Sequence, residues 1–314
     1  MSFESIFFKS KVILTEGALA ERLKSEFKIE IDEFIKHAGL IYDNPEVLEL
    51  LYRQYINIGQ TNNLPIMIMT PTRKANHDSI DNSCFRNQNV LSDACTFLNR
   101  IKESYNEYSK KIMIGGLLGC KGDAYSSHIK LSERESYLFH KPQTMQFQKE
   151  KIDFLFAGIM PEINETIGMA KAMAETSLPY IISFMIKKDG CLIDGTLLSD
   201  AIKIIDDKVS PRPICYMTNC IHPTNLIAAL NCEENKNGQL KRFSGIQANA
   251  SILSPEELES CNAIQQDNFN SLADEMYHLK QHFNLKIFGG CCGTNDKFLT
   301  ILTKKINNTI NNNV

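Results

Sequence analysis

The stretch IFGGCCGT, residues 287–294, sets two thiols side by side, Cys291 and Cys292, behind the paired glycines Gly289 and Gly290. A disulfide between chain neighbours conflicts with the Cβ geometry the bond requires. A strand core suits the pair no better, because one of two adjacent side chains faces the wrong way. Convergence on a metal ion meets neither objection, provided the glycines let the backbone bend so that both sulfurs face the metal. A third thiol, Cys220, ends the run PICYMTNC. Three thiolates suit zinc, which takes sulfur ligands in tetrahedral geometry, and three protein ligands leave one position open for a substrate. Spacing alone leaves two readings standing: a catalytic zinc site, or three unrelated cysteines packed as small hydrophobes. The isolated cysteines Cys84, Cys95, Cys120, Cys191, Cys215, Cys232 and Cys261 are read the second way.

Something must bring residues 220 and 291–292 together. Apolar runs recur along the chain: KVILTEG from Lys11, PIMIMT to Thr70, KIMIGGLLG to Gly119 and DFLFAG to Gly158. PYIISFMI to Ile186, PICYMTNC to Cys220, FSGIQAN to Asn249 and LKIFGGCC to Cys292 follow. They are short and continuous rather than alternating, as in parallel strands covered on both faces. Helical stretches lie between them. One opens at Asn44-Pro45, an N-cap followed by proline at the first helical position. Another, PEINETIGMAKAMAETS, fills the gap between the fourth and fifth strands. A third runs from Ser254-Pro255 toward Phe283, and a fourth follows the eighth strand with Thr294 or Asn295 as its cap. Residues 120–132 read as a loop. Eight strands alternating with helices predict an α/β chain folded as a single (β/α)8 barrel over residues 1–306, with an Asn-rich, frayed tail at 307–314. A doubly wound sheet is the rival, but GGLLGCKG follows the third strand and leads into a polar loop, a poor dinucleotide fingerprint. In a barrel, Cys220 and the Cys291-Cys292 pair stand at strand ends separated only by the seventh strand, about 10 Å apart across the backbone, close enough for inward side chains to share an ion.

Composition fits this picture. Apolar residues make up 43% and charged residues 23% of 314, the ordinary balance of a globular protein. A net charge of −3 offers no basic excess for nucleic acid. No signal peptide and no membrane-spanning run is read, so a cytoplasmic, reducing location is expected, where clustered cysteines serve metals rather than disulfides.

GGCCGT near the end, with Asn219-Cys220 closing an earlier strand, resembles the homocysteine S-methyltransferase family. VILTEGALAERL resembles that family's opening Asp-Gly-Gly/Ala segment, with Glu16 for the usual Asp. NPE at 44–46, SFMIKKDGCLIDGTLLSDAI and IQANAS resemble further family elements. The resemblance implies a zinc-containing (β/α)8 barrel that moves a methyl group to the thiol of homocysteine. It implies Cys220, Cys291 and Cys292 as zinc ligands. Glu16, Gly17, Asn219 and Asn249 become candidates for binding substrate, with turn formation as the plainer role for the two asparagines. The implied partners are a small-molecule thiol and an onium methyl donor: S-methylmethionine, S-adenosylmethionine or betaine. With no second domain to hold folate, methylfolate is not expected. His222 is read as a loop hydrogen-bonder rather than a ligand. The family's fourth strand usually ends in Glu-Thr, the Glu helping to bind the amino group of homocysteine; here Gly158-Ile159 stands in its place. Two alternatives follow: a methyltransferase for another small thiol, or a zinc-bound barrel acting as a thiol sensor without turnover.

Overall fold

Strand parity decides what fills the centre of this protein. The structure, a computed structural model, describes residues 2–125, 129–236, 238–253 and 268–311. Eight strands, β1 (Ile13–Thr15), β2 (Ile66–Met69), β3 (Ile112–Leu118), β4 (Phe154–Met160), β5 (Tyr180–Phe184), β6 (Cys215–Ile221), β7 (Phe243–Ala248) and β8 (Ile287–Gly290), pair in chain order into a closed barrel. All neighbours are parallel, and β8 closes on β1 through Ile13–Ile287 and Leu14–Phe288. The helices are α1 (Phe3–Lys9), α2 (Ala20–Ser25), α3 (Leu40–Asp43), α4 (Pro45–Thr61), α5 (His77–Asn82) and α6 (Val90–Glu103). They continue with α7 (Glu133–Phe147), α8 (Ile163–Ala174), α9 (Leu198–Lys208), α10 (Pro223–Asn231), α11 (Phe269–His282) and α12 (Asp296–Asn311). This is a (β/α)8 barrel, as expected from the strand runs.

Alternate residues of each strand sort into two cores. Ile13, Met67, Met69, Met113, Phe154, Phe156, Ile181, Cys215, Met217 and Ile287 pack together inside the barrel. Their neighbours Leu14, Ile66, Ile68, Leu155, Ile182, Tyr216 and Phe288 pack outward against the helices. Burial on both faces explains the continuous apolar runs. The N-terminal helix α1, not foreseen in the sequence, closes the N-terminal end of the barrel. Phe3, Ile6 and Phe7 join the inner core, and the Phe3 ring stacks on Phe154 at 4.5 Å. With that end of the barrel interior filled by apolar side chains, the interior opens toward the C-terminal rim.

Several local expectations are refined. Asn44 precedes α4 with Pro45 at its first turn, but its side chain makes no capping bond. Asn295 rather than Thr294 caps α12, accepting from Lys297 N at 3.0 Å and Phe298 N at 3.2 Å. That helix extends to Asn311, through much of the Asn-rich stretch. The helix start at Ser254-Pro255 and Cys261 lie outside the described residues. Of the isolated cysteines, Cys95, Cys120 and Cys215 are buried, Cys191 and Cys232 are half-buried, and Cys84 is exposed. No described helix is long and apolar enough to cross a membrane.

Candidate active site

Inward parity at the C-terminal rim produces a polar layer above the apolar plug. Thr15, Ser183, Asn219 and Gln247 stand two residues beyond Ile13, Ile181, Met217 and Gly245 on their strands. They form one chain of side-chain bonds. Ser183 Oγ donates to Asn219 Oδ1, Asn219 Nδ2 donates to Gln247 Oε1, and Gln247 Nε2 donates to Thr15 Oγ1 at 2.8 Å. Four buried polar groups on four strands thereby satisfy one another, which fixes the floor of the cavity.

By the same parity Cys220 belongs on the outer face. Two features turn it inward. The β6–β7 register shifts between Asn219 and Ile221, and Cys220 adopts φ 59°, in the left-handed region. A bulge re-aims a side chain at a barrel rim, and a non-glycine residue in this conformation costs about 1–3 kcal/mol. Asn219 and Cys220 can therefore both face the site. Cys291 and Cys292 lie just past β8, in the turn where Cys291 N donates to Ala248 O at 2.7 Å and Ala250 N to Cys292 O at 2.9 Å. The paired glycines serve differently from expectation. Their φ values are not in the left-handed region; a Cβ at Gly289 would collide with Thr15 Oγ1, so the gain is close approach rather than a bend. The turn's left-handed residue is Gly293, φ 74°.

The three sulfurs lie within 4.8 Å of one another, with Cys220 Sγ 3.4 Å from Cys292 Sγ. A tetrahedral zinc with bonds of ~2.3 Å holds its sulfurs about 3.8 Å apart, so the donor set fits such an ion with only small adjustments. Without a cation the cluster frustrates its own ionisation. Hydrogen bonds from Cys291, Cys292 and Tyr125 hold the Cys220 thiol well below its ordinary pKa, and hydrogen bonding and charge within the cluster then push Cys291 and Cys292 up. Only a positive ion lets all three exist as thiolates.

Cys291 and Cys292 form part of the lining of a cavity of ≈ 340 Å³ that also reaches Glu16, Gly17, Asn219, Gln247 and Tyr125, and Cys220 lies behind that lining, against Cys292 and Tyr125. Glu16, one residue past β1, is buried; its Oε1 accepts from Met69 N at 3.2 Å and its Oε2 has no partner. Burial raises its pKa to about 8, against which bonds from its own and the Met69 backbone N–H work only partly. A buried carboxyl with one unsatisfied oxygen facing a cavity is suited to receive a ligand's ammonium group. Gly17 lies beside it, where a Cβ would come within 2.8 Å of Tyr55 Oη. Asn249 is placed elsewhere: its Oδ1 accepts from Ser251 N at 3.0 Å in a turn, and it is not among the described residues lining the cavity. His222 caps α10, accepting from Thr224 N at 3.2 Å.

Tyr125, Gln247 and Ser183 escaped the sequence reading. Tyr125 comes from the loop after β3 and donates from its hydroxyl to Cys220 Sγ at 3.1 Å. That loop is anchored by Glu165, buried on α8, whose Oε1 accepts from Lys121 N at 2.6 Å and faces His140 Nε2 at 3.0 Å. The loop was visible in the sequence; no spacing signal singled out its tyrosine.

The sequence model of the homocysteine S-methyltransferase family matches residues 13–306. The chain belongs to that family. It is accordingly a methyltransferase enzyme. No curated protein matches it. Among solved structures, the metallated form of the homocysteine methyltransferase MmuM from Escherichia coli superposes with a TM-score of 0.76 at 19% identity. The oxidized form of the same enzyme gives 0.77 at 18% identity. Each comparison covers 96% of this chain and 98% of the other. At that identity the likeness carries the fold.

Within this family the departure at Gly158-Ile159 falls on the cavity wall, where both residues line the space shared with Glu16. Gly158 is not in the left-handed region, so backbone conformation does not forbid a side chain. A Cβ there would instead meet the Phe156 ring at 2.6 Å. Glu162, the other acid near the turn, is committed as the cap of α8, accepting from Glu165 N at 2.7 Å. Gly158→Glu is expected to lower the melting temperature through overpacking of about 1–3 kcal/mol. It should tighten an ammonium-bearing thiol by roughly tenfold or more through one charge-assisted bond. Calorimetry with homocysteine on folded, zinc-loaded wild type and variant checks this. Tight wild-type binding with no gain in the variant means another group already fills the role.

Proposed function

We propose that this enzyme uses zinc, held by Cys220, Cys291 and Cys292, to move a methyl group from an onium donor to the thiol of homocysteine, giving methionine. A cluster of three sulfurs, two of them lining a cavity that also holds a buried, half-satisfied carboxyl, carries the reading. Zinc bound there supplies deprotonation and orientation of the substrate sulfur. A free thiol of pKa ~8.5 is only a few per cent thiolate near neutral pH, and full ionisation is worth about 2 kcal/mol. Coordination would lower the nucleophilicity of the sulfur and return part of that gain, so alignment with the methyl carbon would contribute more.

The chain's own groups do the rest. The Asn219–Gln247–Thr15 chain keeps the floor rigid, Tyr125 hydrogen-bonds a ligand sulfur, and Glu16 receives the ammonium group of the thiol substrate. A methyl on positive sulfur or nitrogen departs from a neutral leaving group, so the reaction needs no general acid. The catalytic unit is the barrel of residues 1–306. Three reduced thiols in one site favour a reducing location such as the cytoplasm. Gly158 favours a second reading within the same chemistry, a thiol lacking the amino group.

S-methylmethionine is expected to be the best donor, then S-adenosylmethionine, then betaine. Incubating zinc-loaded protein with homocysteine and each donor, and measuring methionine, tests this. No product from any donor, with product from a thiol lacking the amino group, would select the second reading; no product with any thiol would end the enzymatic one.

A further inference from the structure

The cavity has a strongly cationic side. Lys36, His37, Arg73 and Lys74 line it together with Cys291 and Cys292. Arg73 and Lys74 follow β2; Lys36 and His37 belong to the segment leading into α3. Asp123 and Glu165 offset part of the charge of Lys74 without pairing with it. Among the described residues Lys36 and Arg73 form no ion pair, and Lys74 Nζ donates only to the carbonyls of Cys120 and Gly122. The acids on the same wall are Glu21, whose Oε2 accepts from Gly293 N at 2.6 Å, and Glu16, whose carboxyl burial pushes up to about 8; Lys24, Lys36, Arg73 and Lys74 outnumber them. His37 supplies the independent sign of a ligand. Its Nδ1 is buried without a hydrogen-bond partner, an expensive arrangement unless something enters the cavity to meet it. Burial, and then the charge of Arg73, push its pKa down to about 4; burial likewise lowers that of Lys74. Like charges gathered around a cavity mark a place where an anion is received.

We propose that Arg73, Lys36, Lys74 and His37 form an anion subsite that takes the carboxylate of the methyl donor. This rests on the methyl-transfer reading and narrows it. A bare onium ion entering this cavity meets an excess of positive charge. A donor carrying its own carboxylate arrives with that charge offset and gains charge-assisted bonds to the guanidinium, the lysines and a His37 proton. The subsite thus gives the carboxylate shared by the expected donors a partner in this chain, and a simple alkyl sulfonium is a poor substitute. Glu16 and the subsite then sort the two substrates by charge, the ammonium of the thiol to one and the carboxylate of the donor to the other.

The test compares S-methylmethionine with trimethylsulfonium, which offers the same reactive group without a carboxylate. Binding of each to zinc-loaded wild type, Arg73→Gln and Lys36→Gln is measured by calorimetry, and kcat/KM is measured with homocysteine. Arg73→Gln is expected to weaken S-methylmethionine by about 10- to 150-fold and to shrink its advantage over trimethylsulfonium by a similar factor. Lys36→Gln should act in the same direction and serves if Arg73→Gln fails to fold. Equal weakening of both donors, no weakening of S-methylmethionine, or a loss confined to homocysteine binding would each overturn the assignment. Arg73-dependent binding of S-methylmethionine without any methyl transfer would leave the subsite standing and refute the reaction on which it was placed.

Discussion

Cys220→Ala is expected to abolish methyl transfer and to lower zinc affinity by about 100- to 1000-fold. Zinc binding by small protein sites is worth about 10–16 kcal/mol over its ligands, so one ligand carries roughly 3–4 kcal/mol. Elemental analysis of reduced protein, with competition against a chelator, reads the affinity. Unchanged affinity would dissolve the constellation, whatever happened to activity. Cys220→Gly separates metal from fold. At φ 59° a glycine relieves the cost of the left-handed backbone, so this variant should lose zinc yet, metal-free, be at least as stable as wild type. A thermal melt showing metal-free Cys220→Gly clearly less stable would mean that the sulfur is held there for packing.

Glu16→Gln should weaken homocysteine by about 10- to 150-fold, the loss of one buried charge-assisted bond. The pH dependence distinguishes this from a packing defect. With its pKa raised to about 8, Glu16 is protonated in the free enzyme near neutrality. Receiving an ammonium group therefore expels its proton. Homocysteine binding should release about two protons in wild type, one from the thiol and one from Glu16, and about one in the variant. Calorimetry in buffers of different ionisation enthalpy counts them. Stability carries the same signature. The folded pKa lies above the ordinary 4.5, so the contribution of the neutral carboxyl is fully present below about 4.5 and is lost as pH rises through about 8. Glu16→Gln should flatten that decline in metal-free protein. An identical slope and proton count in the variant would remove Glu16 from the binding role.

The barrel was legible because burial on both faces writes continuous apolar runs, and the eight runs from Lys11 to Cys292 each deliver one strand. The meeting of Cys220 with Cys291 and Cys292 was legible from their places at strand ends one strand apart, whereas the metal reading of that cluster came from the family resemblance. What escaped depends on side-chain direction and on loops. Simple alternation would turn Cys220 away from the cavity; the bulge and positive φ that correct this have no mark in PICYMTNC. Gln247 is an ordinary strand residue until its parity with Thr15 and Asn219 is known. Asn249, two residues further on and just past β7, spends its side chain on a local turn, a choice made by the backbone there. Tyr125, Arg73 and His37 sit on connections whose paths over the barrel mouth are set by tertiary contacts such as Glu165 with Lys121, and no periodicity encodes those.

The central claim is that the thiol substrate reaches a metal held by three protein sulfurs. Zinc-edge X-ray absorption on the zinc-loaded enzyme, before and after homocysteine, tests it directly. Three sulfur neighbours and one lighter atom are expected at rest, changing to four sulfurs when homocysteine is added. Three sulfurs that remain three with bound homocysteine, or fewer than three at rest, would contradict it.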